Sequence, residues 1–144
     1  MKTLRLDPVA SIALALSHPT RLRILLILRD GPLCVCQLTS ALGGATSTIS
    51  AHLADLRRAG LVGESRRGKF VSYALAQAGT ALPWLRLALK QGVDDPVAAD
   101  DRAKGLRIRQ VSAEEFLALG ADIRRLPAYP APLPSKPSPA QAPR

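Results

Sequence analysis

Cys34 and Cys36 are the two cysteines of this 144-residue chain, and a single residue, Val35, separates them. Thiolates are soft ligands, suited to arsenite, antimonite, cadmium, mercury or zinc. The opening residues place Asp7 and Pro8 ahead of any apolar stretch, which argues against a signal peptide. No apolar run approaches the roughly 18 residues a membrane helix requires. The expected setting is therefore the cytosol, without a membrane partner. In such a reducing compartment the thiol pair reads as metal-binding or redox-active before it reads as a structural disulfide. The second chemistry is charge. Twenty Lys and Arg against 11 acids give a net charge of +9, which calls for a polyanion or an acidic surface. Residues 1–90 carry +8 of that charge and residues 91–144 only +1. The densest stretch sets Arg57, Arg58, Arg66, Arg67 and Lys69 against Glu64 alone. There is no Cys-x-x-Cys redox motif, phosphate-binding glycine loop or nucleophile with a matching base, so the chain is not expected to be an enzyme.

These residues must be held by elements, and the periodicities predict which. Aromatics are 3% of the chain, so the core is aliphatic. Val9, Ile12, Ala13 and Leu16 predict a helix over 8–17. Pro19 suits the start of a second, and Asp30-Gly31-Pro32 its stop. Leu33 to Leu42 reads as a third helix, with Leu38 and Leu42 one turn apart, and Gly43-Gly44 as a turn. Thr46 or Ser47 caps a fourth helix whose apolar positions Ile49, Leu53 and Leu56 share one face, with Gly60 closing it. Leu61 to Arg66 and Phe70 to Leu75 predict a hairpin about Arg67-Gly68. A last helix is expected from about Gly79 to Lys90. Residues 92–105, polar and acidic, read as a loop, and Ser112 with Glu115 as the capping box of one more short helix. Three segments result: a domain over 1–91, an extension over 92–126, and a proline-rich tail over 127–144 that holds seven of the 12 prolines and cannot form a helix.

The order of helices, turn, helix, hairpin and helix predicts a mainly α winged helix-turn-helix with a small β-hairpin. A helix bearing small polar residues at its N-terminal end can enter the major groove of double-stranded DNA. Thr46, Ser47, Thr48 and Ser50 are such residues. Arg57 and Arg58 at its far end, and Arg66, Arg67 and Lys69 on the wing, can reach phosphates.

These motifs resemble the ArsR/SmtB family of metal-responsive repressors. The resemblance is carried by Leu33-Cys34-Val35-Cys36-Gln37-Leu38, by Ser47 through Val62, by His18-Pro19-Thr20-Arg21-Leu22-Arg23-Ile24-Leu25, and by the wing Arg67 through Leu75. It spans about residues 8–90, and the Cys-Val-Cys motif is similar to that of the arsenic-sensing branch. It implies a homodimeric winged-helix repressor on a palindromic operator, released when arsenite, antimonite or another thiophilic ion binds Cys34 and Cys36. The DNA-binding set then extends to Ala51 and His52. Two positions depart from the family: Thr39 stands where the arsenic site has a third cysteine, and Ala51 where a basic or larger polar residue is usual.

On a regular helix, residues two apart point to nearly opposite sides. Cys34 and Cys36 are expected in the first turn of the third helix, so chelation has to distort that helix, coupling the ion to the element that positions the DNA-reading helix. The helix dipole there favours thiolate. A third donor could be water, a cellular thiol or His18. Two alternatives compete: a redox-responsive regulator, set back by the strained ring of a disulfide between cysteines two apart, and a winged-helix protein with no inducer. The first and last helices (Val9, Ile12, Leu16 and Leu82, Leu85, Leu89) carry apolar surface beyond the needs of one small core, and a two-fold interface would cover it.

Overall fold

The computed structural model describes residues 6–127. The elements run α1 (Leu6–Leu16), α2 (Pro19–Ile27) with a 3₁₀ turn Leu28–Asp30, β1 (Leu33–Cys34), α3 (Val35–Leu42), α4 (Thr46–Arg58), β2 (Val62–Arg67), β3 (Phe70–Leu75), α5 (Leu82–Gly92), α6 (Pro96–Ile108), α7 (Ala113–Ala118) and a 3₁₀ turn Ile123–Arg125. This is the expected winged helix-turn-helix, with additions.

Helix α2 starts at Pro19, whose missing N–H costs nothing there, and His18 caps it by accepting the Thr20 N–H on Nδ1 at 3.1 Å. Helix α4 turns Ile49, Leu53 and Leu56 inward, each essentially fully buried, for about 1.5–3 kcal/mol per side chain. Its N-cap is Ala45, without a side-chain cap, which corrects the expectation for Thr46 and Ser47. Both lie inside the helix and are exposed. Its end is a Schellman closure: the Leu61 N–H reaches the Leu56 carbonyl and the Gly60 N–H the Arg57 carbonyl, with Gly60 at φ +76°. The wing pairs Val62 with Leu75 through to Arg67 with Phe70. Its two-residue turn is thus Gly68-Lys69, one residue later than expected. Gly68 supplies the positive φ (57°) that such a turn needs at its first central position.

Two larger sequence expectations also fail. Leu33 and Cys34 are not helical. They form a third strand beside the hairpin, in the order β1-β3-β2, with Leu33 opposite Tyr73 and Cys34 opposite Ser72, antiparallel. Their peptide groups find partners in the wing, so α3 begins only at Val35. Residues 96–108 are helical rather than a loop. Asp95 caps that helix through the Val97 and Ala98 N–H groups, and Pro96 occupies its first position. The acids that suggested a loop are satisfied individually: Asp100 pairs with Lys104 one turn on, and Asp101, 1% exposed, takes two 2.8 Å hydrogen bonds from Arg23. The inward face is Ala98, Asp101, Gly105 and Ile108, too poor in large apolar residues to announce a helix. Gly105 allows close approach, since a Cβ there would lie 3.0 Å from Ile27.

The Ser112–Glu115 capping box forms in both directions and opens α7, which buries Phe116 completely. Ile108, Phe116 and Leu126 join the same apolar core as Ile24, Leu38 and Leu53. Of the proline-rich tail, residues 128–144 lie outside the described residues. Among the described residues no single helix is long and apolar enough to cross a membrane.

Candidate thiol site and nucleic-acid interface

The strand–helix junction decides the geometry of the thiols. Cys34 is the last residue of β1 and the N-cap of α3, with an extended backbone (φ −86°, ψ 167°). Cys36 is the second residue of the helix. The argument that sulfurs two apart face opposite sides holds only when both residues are helical, and Cys34 is not. The sulfurs lie 3.0 Å apart. No unwinding is needed to bring them together, which corrects the distortion expected from the sequence. Gln37 fixes the junction: its side-chain oxygen accepts the Cys34 N–H at 2.9 Å, while its own N–H faces the Cys34 sulfur.

Cys34 is buried and Cys36 half-buried. Burial pushes the Cys36 thiol up to about 12, and the hydrogen bond and charge of Cys34 push the same way. For Cys36, desolvation therefore outweighs the helix dipole, and the thiolate expected there is not favoured. His18 is engaged elsewhere. Its Nδ1 caps α2, and its ring lies 4.4 Å from that of His52. Among the described residues no group of three or more His, Cys, Asp or Glu side chains comes together to hold a metal.

The residues expected to meet DNA fall into three groups. Thr46, Ser47, Thr48, Ser50 and Ala51 line the exposed face of α4. Arg66, Arg67 and Lys69 project from the wing, all exposed. Lys69 lies over the Phe70 ring at 5.6 Å. Arg57 and Arg58 are exposed but engaged: Arg57 meets Glu64 at 2.8 Å, and Arg58 pairs with Asp55. His52 turns back toward the domain. It packs on His18, and its Nδ1 lies 3.4 Å from Arg21 Nη1. Burial first, then His18 and Arg21, hold its imidazole below the usual range.

Sequence reasoning missed the residues that join these parts. Arg21 donates to the Ala15 and Leu14 carbonyls at 2.7 and 2.9 Å and meets Asp55 at 3.4 Å, fastening α1 and α2 to α4. Tyr73, opposite Leu33 on one side and Glu64 on the other, donates to Glu64 at 3.3 Å. A path of contacts thus runs from the thiol strand through Tyr73 and Glu64 to Arg57 on α4. The Glu64–Arg57 charge complementarity across seven residues was visible in the sequence. The Tyr73 link depends on strand register.

Residues 18–64 match the family described as "Bacterial regulatory protein, arsR family". The chain is 45% identical over 80 residues to the arsenic resistance transcriptional regulator ArsR1 of Pseudomonas putida, an alignment covering 55% of this chain and 61% of that protein. It is 37% identical over 105 residues to the HTH-type transcriptional regulator CmtR of Mycobacterium tuberculosis, covering 71% of this chain and 89% of the relative. Among solved structures it is similar to the homodimeric winged helix-turn-helix DNA-binding domain of Mb0332 from Mycobacterium bovis, with a TM-score of 0.55 and 29% identity over 67% of this chain and 92% of that one.

Proposed function

The chain belongs to the ArsR family of bacterial regulatory proteins, and from that premise we propose that it is a cytoplasmic homodimeric repressor which leaves its operator when a trivalent metalloid binds Cys34 and Cys36. The observation that carries the reading is the 3.0 Å separation of two reduced sulfurs at the head of the helix-turn-helix. Arsenite and antimonite are the proposed inducers, and cadmium, mercury and zinc, which also take soft thiolate ligands, compete for the pair. That ArsR1 is an arsenic resistance regulator supports the choice.

On the operator, a palindromic duplex, Thr46, Ser47, Thr48, Ser50 and Ala51 face base edges, and Arg66, Arg67 and Lys69 hold phosphates. Arg57 and Arg58 contribute less, because each already faces a carboxylate. His52 supports the helix from behind. Of the interface residues expected from the sequence, Ile12 and Leu85 are buried in the core and Leu16, Leu82 and Leu89 pack against it, so dimerisation uses the apolar residues left outside, Leu6, Val9 and Leu14 on α1 with Trp84 and Leu87 on α5. Residues 1–91 form the DNA-binding and dimerisation unit, and residues 92–126 brace it.

Coupling runs through β1 rather than through unwinding of α3. An ion drawing the two sulfurs into bonds moves Cys34, whose strand is paired with β3 of the wing. Tyr73 and Glu64 pass that shift to Arg57 on α4. The inducer acts by favouring the arrangement with the wing displaced, which is the differential affinity that release requires.

The test is release of labelled operator by arsenite under excess non-chelating reductant. Wild type is expected to respond, and Cys34→Ser and Cys36→Ser to bind operator normally without responding. Serine variants that respond like wild type would refute the thiol site. A second reading, oxidation of the pair to a disulfide, gains from the same sulfur proximity, while the small strained ring closed by cysteines two apart still ranks it behind the metalloid. It predicts release by peroxide, reversed by reductant, and no release by arsenite.

A further inference from the structure

Two sulfurs account for two of the three bonds that trivalent arsenic or antimony makes, and the nature of the third decides which inducers fit. Thr39 lies three residues after Cys36 in α3, one turn on and on the same side of the helix. Its Oγ1 is buried and has no hydrogen-bond partner. A helical threonine can satisfy its hydroxyl on the carbonyl four residues back, yet here it does not. A buried, unpartnered hydroxyl calls for a missing partner.

We propose that Thr39 is the specificity-determining residue of the thiol site: its hydroxyl hydrogen-bonds a hydroxyl that the metalloid retains after both cysteines have bound. The inference rests on the reading of Cys34 and Cys36 as the inducer site. The chemistry balances without an oxidant. A neutral trihydroxide of arsenic or antimony meets two thiols. Each S–H proton passes to a departing hydroxide and leaves as water. Two metalloid–oxygen bonds break and two metalloid–sulfur bonds form, with the metalloid trivalent throughout. One hydroxyl remains, able both to donate to Thr39 Oγ1 and to accept from it.

The experiment measures binding of two probes, arsenite and phenylarsine oxide, by metalloid retention after gel filtration and by operator release. The second probe fills the third position with an apolar ring. Wild type, Thr39→Val and Thr39→Ser are compared. Thr39→Val, of similar shape but without the hydroxyl, is expected to weaken arsenite binding about five- to tenfold, the loss of one hydrogen bond, and to leave phenylarsine oxide unchanged or tighter. Thr39→Ser, which keeps the hydroxyl, is expected to hold arsenite binding within about twofold of wild type. Equal affinity of wild type and Thr39→Val for arsenite overturns the proposal. So does an equal loss for both probes, which would make Thr39 a packing residue. Retention of both probes by Cys34→Ser and Cys36→Ser would instead refute the thiol reading itself.

Discussion

Removing the Asp101 carboxylate should loosen the chain from the far side of the DNA-reading unit. Asp101 is 1% exposed and receives Arg23 Nε and Nη2 at 2.8 Å each. Arg23 Nη2 also donates to the Leu42 carbonyl at 3.2 Å, at the end of α3 and just before the turn into α4. One guanidinium thus links α6, α2 and the helix-turn-helix. Breaking a buried pair by deleting one partner costs about 3–5 kcal/mol. Arg23 keeps 30% of its side chain exposed, so water recovers part of its charge, and the expected loss for Asp101→Ala is about 2–3 kcal/mol. At roughly 3–5 °C per kcal/mol for a chain of this size, Tm falls by about 10 °C. The assay is urea and thermal unfolding of wild type, Asp101→Ala, Arg23→Met and the double variant. The double variant should recover at least 1 kcal/mol relative to the sum of the singles, because no unpaired buried charge remains. A loss below about 0.5 kcal/mol for Asp101→Ala, or strict additivity, would refute the reasoning and make α6 a separate appendage.

Arg67→Ala or Lys69→Ala should weaken binding to all DNA sequences alike and lower the salt slope by about one per contact, whereas Thr48→Ala or Ser50→Ala should change sequence preference. Arg57→Ala should alter the salt slope less than Arg67→Ala, and equal slopes would count against the Glu64 pairing in solution. Leu14→Glu or Leu87→Glu, at side chains 69% and 54% exposed, should yield a folded monomer in sedimentation. A dimer of unchanged strength would place the interface elsewhere. His52 is held below its ordinary pKa of 6.5, first by burial and then by His18 and Arg21. The unfolded chain therefore takes up that proton more readily, and stability, full above pH 6.5, declines as pH falls through 6.5 toward the lower folded value. His52→Gln should flatten this part of the urea-midpoint profile, and an unchanged slope would assign it to other groups.

The DNA-reading unit was legible in the sequence because its signals are local. Ile49, Leu53 and Leu56 repeat at helical spacing, Gly60 sits where the chain must turn left-handed, and Ser112 with Glu115 forms a box four residues long. Each works through backbone groups within one or two turns. The adjacency of Cys34 and Cys36 was not legible, because it depends on whether residue 34 is helical. That is decided by β3, some 40 residues later, whose Ser72 and Tyr73 compete for the peptide groups of β1. Helix α6 was hidden for the same reason. Its acids read as loop until Arg23, 78 residues away, neutralises Asp101, and its small residues read as featureless until Ile27 packs on Gly105. Composition and spacing determined which chemistries this protein carries, namely soft thiols and a basic helix with its wing. Only the tertiary structure decided how they meet. A buried charge or a shared strand edge takes its energy from partners that the chain brings together by folding, and no window along the sequence contains them.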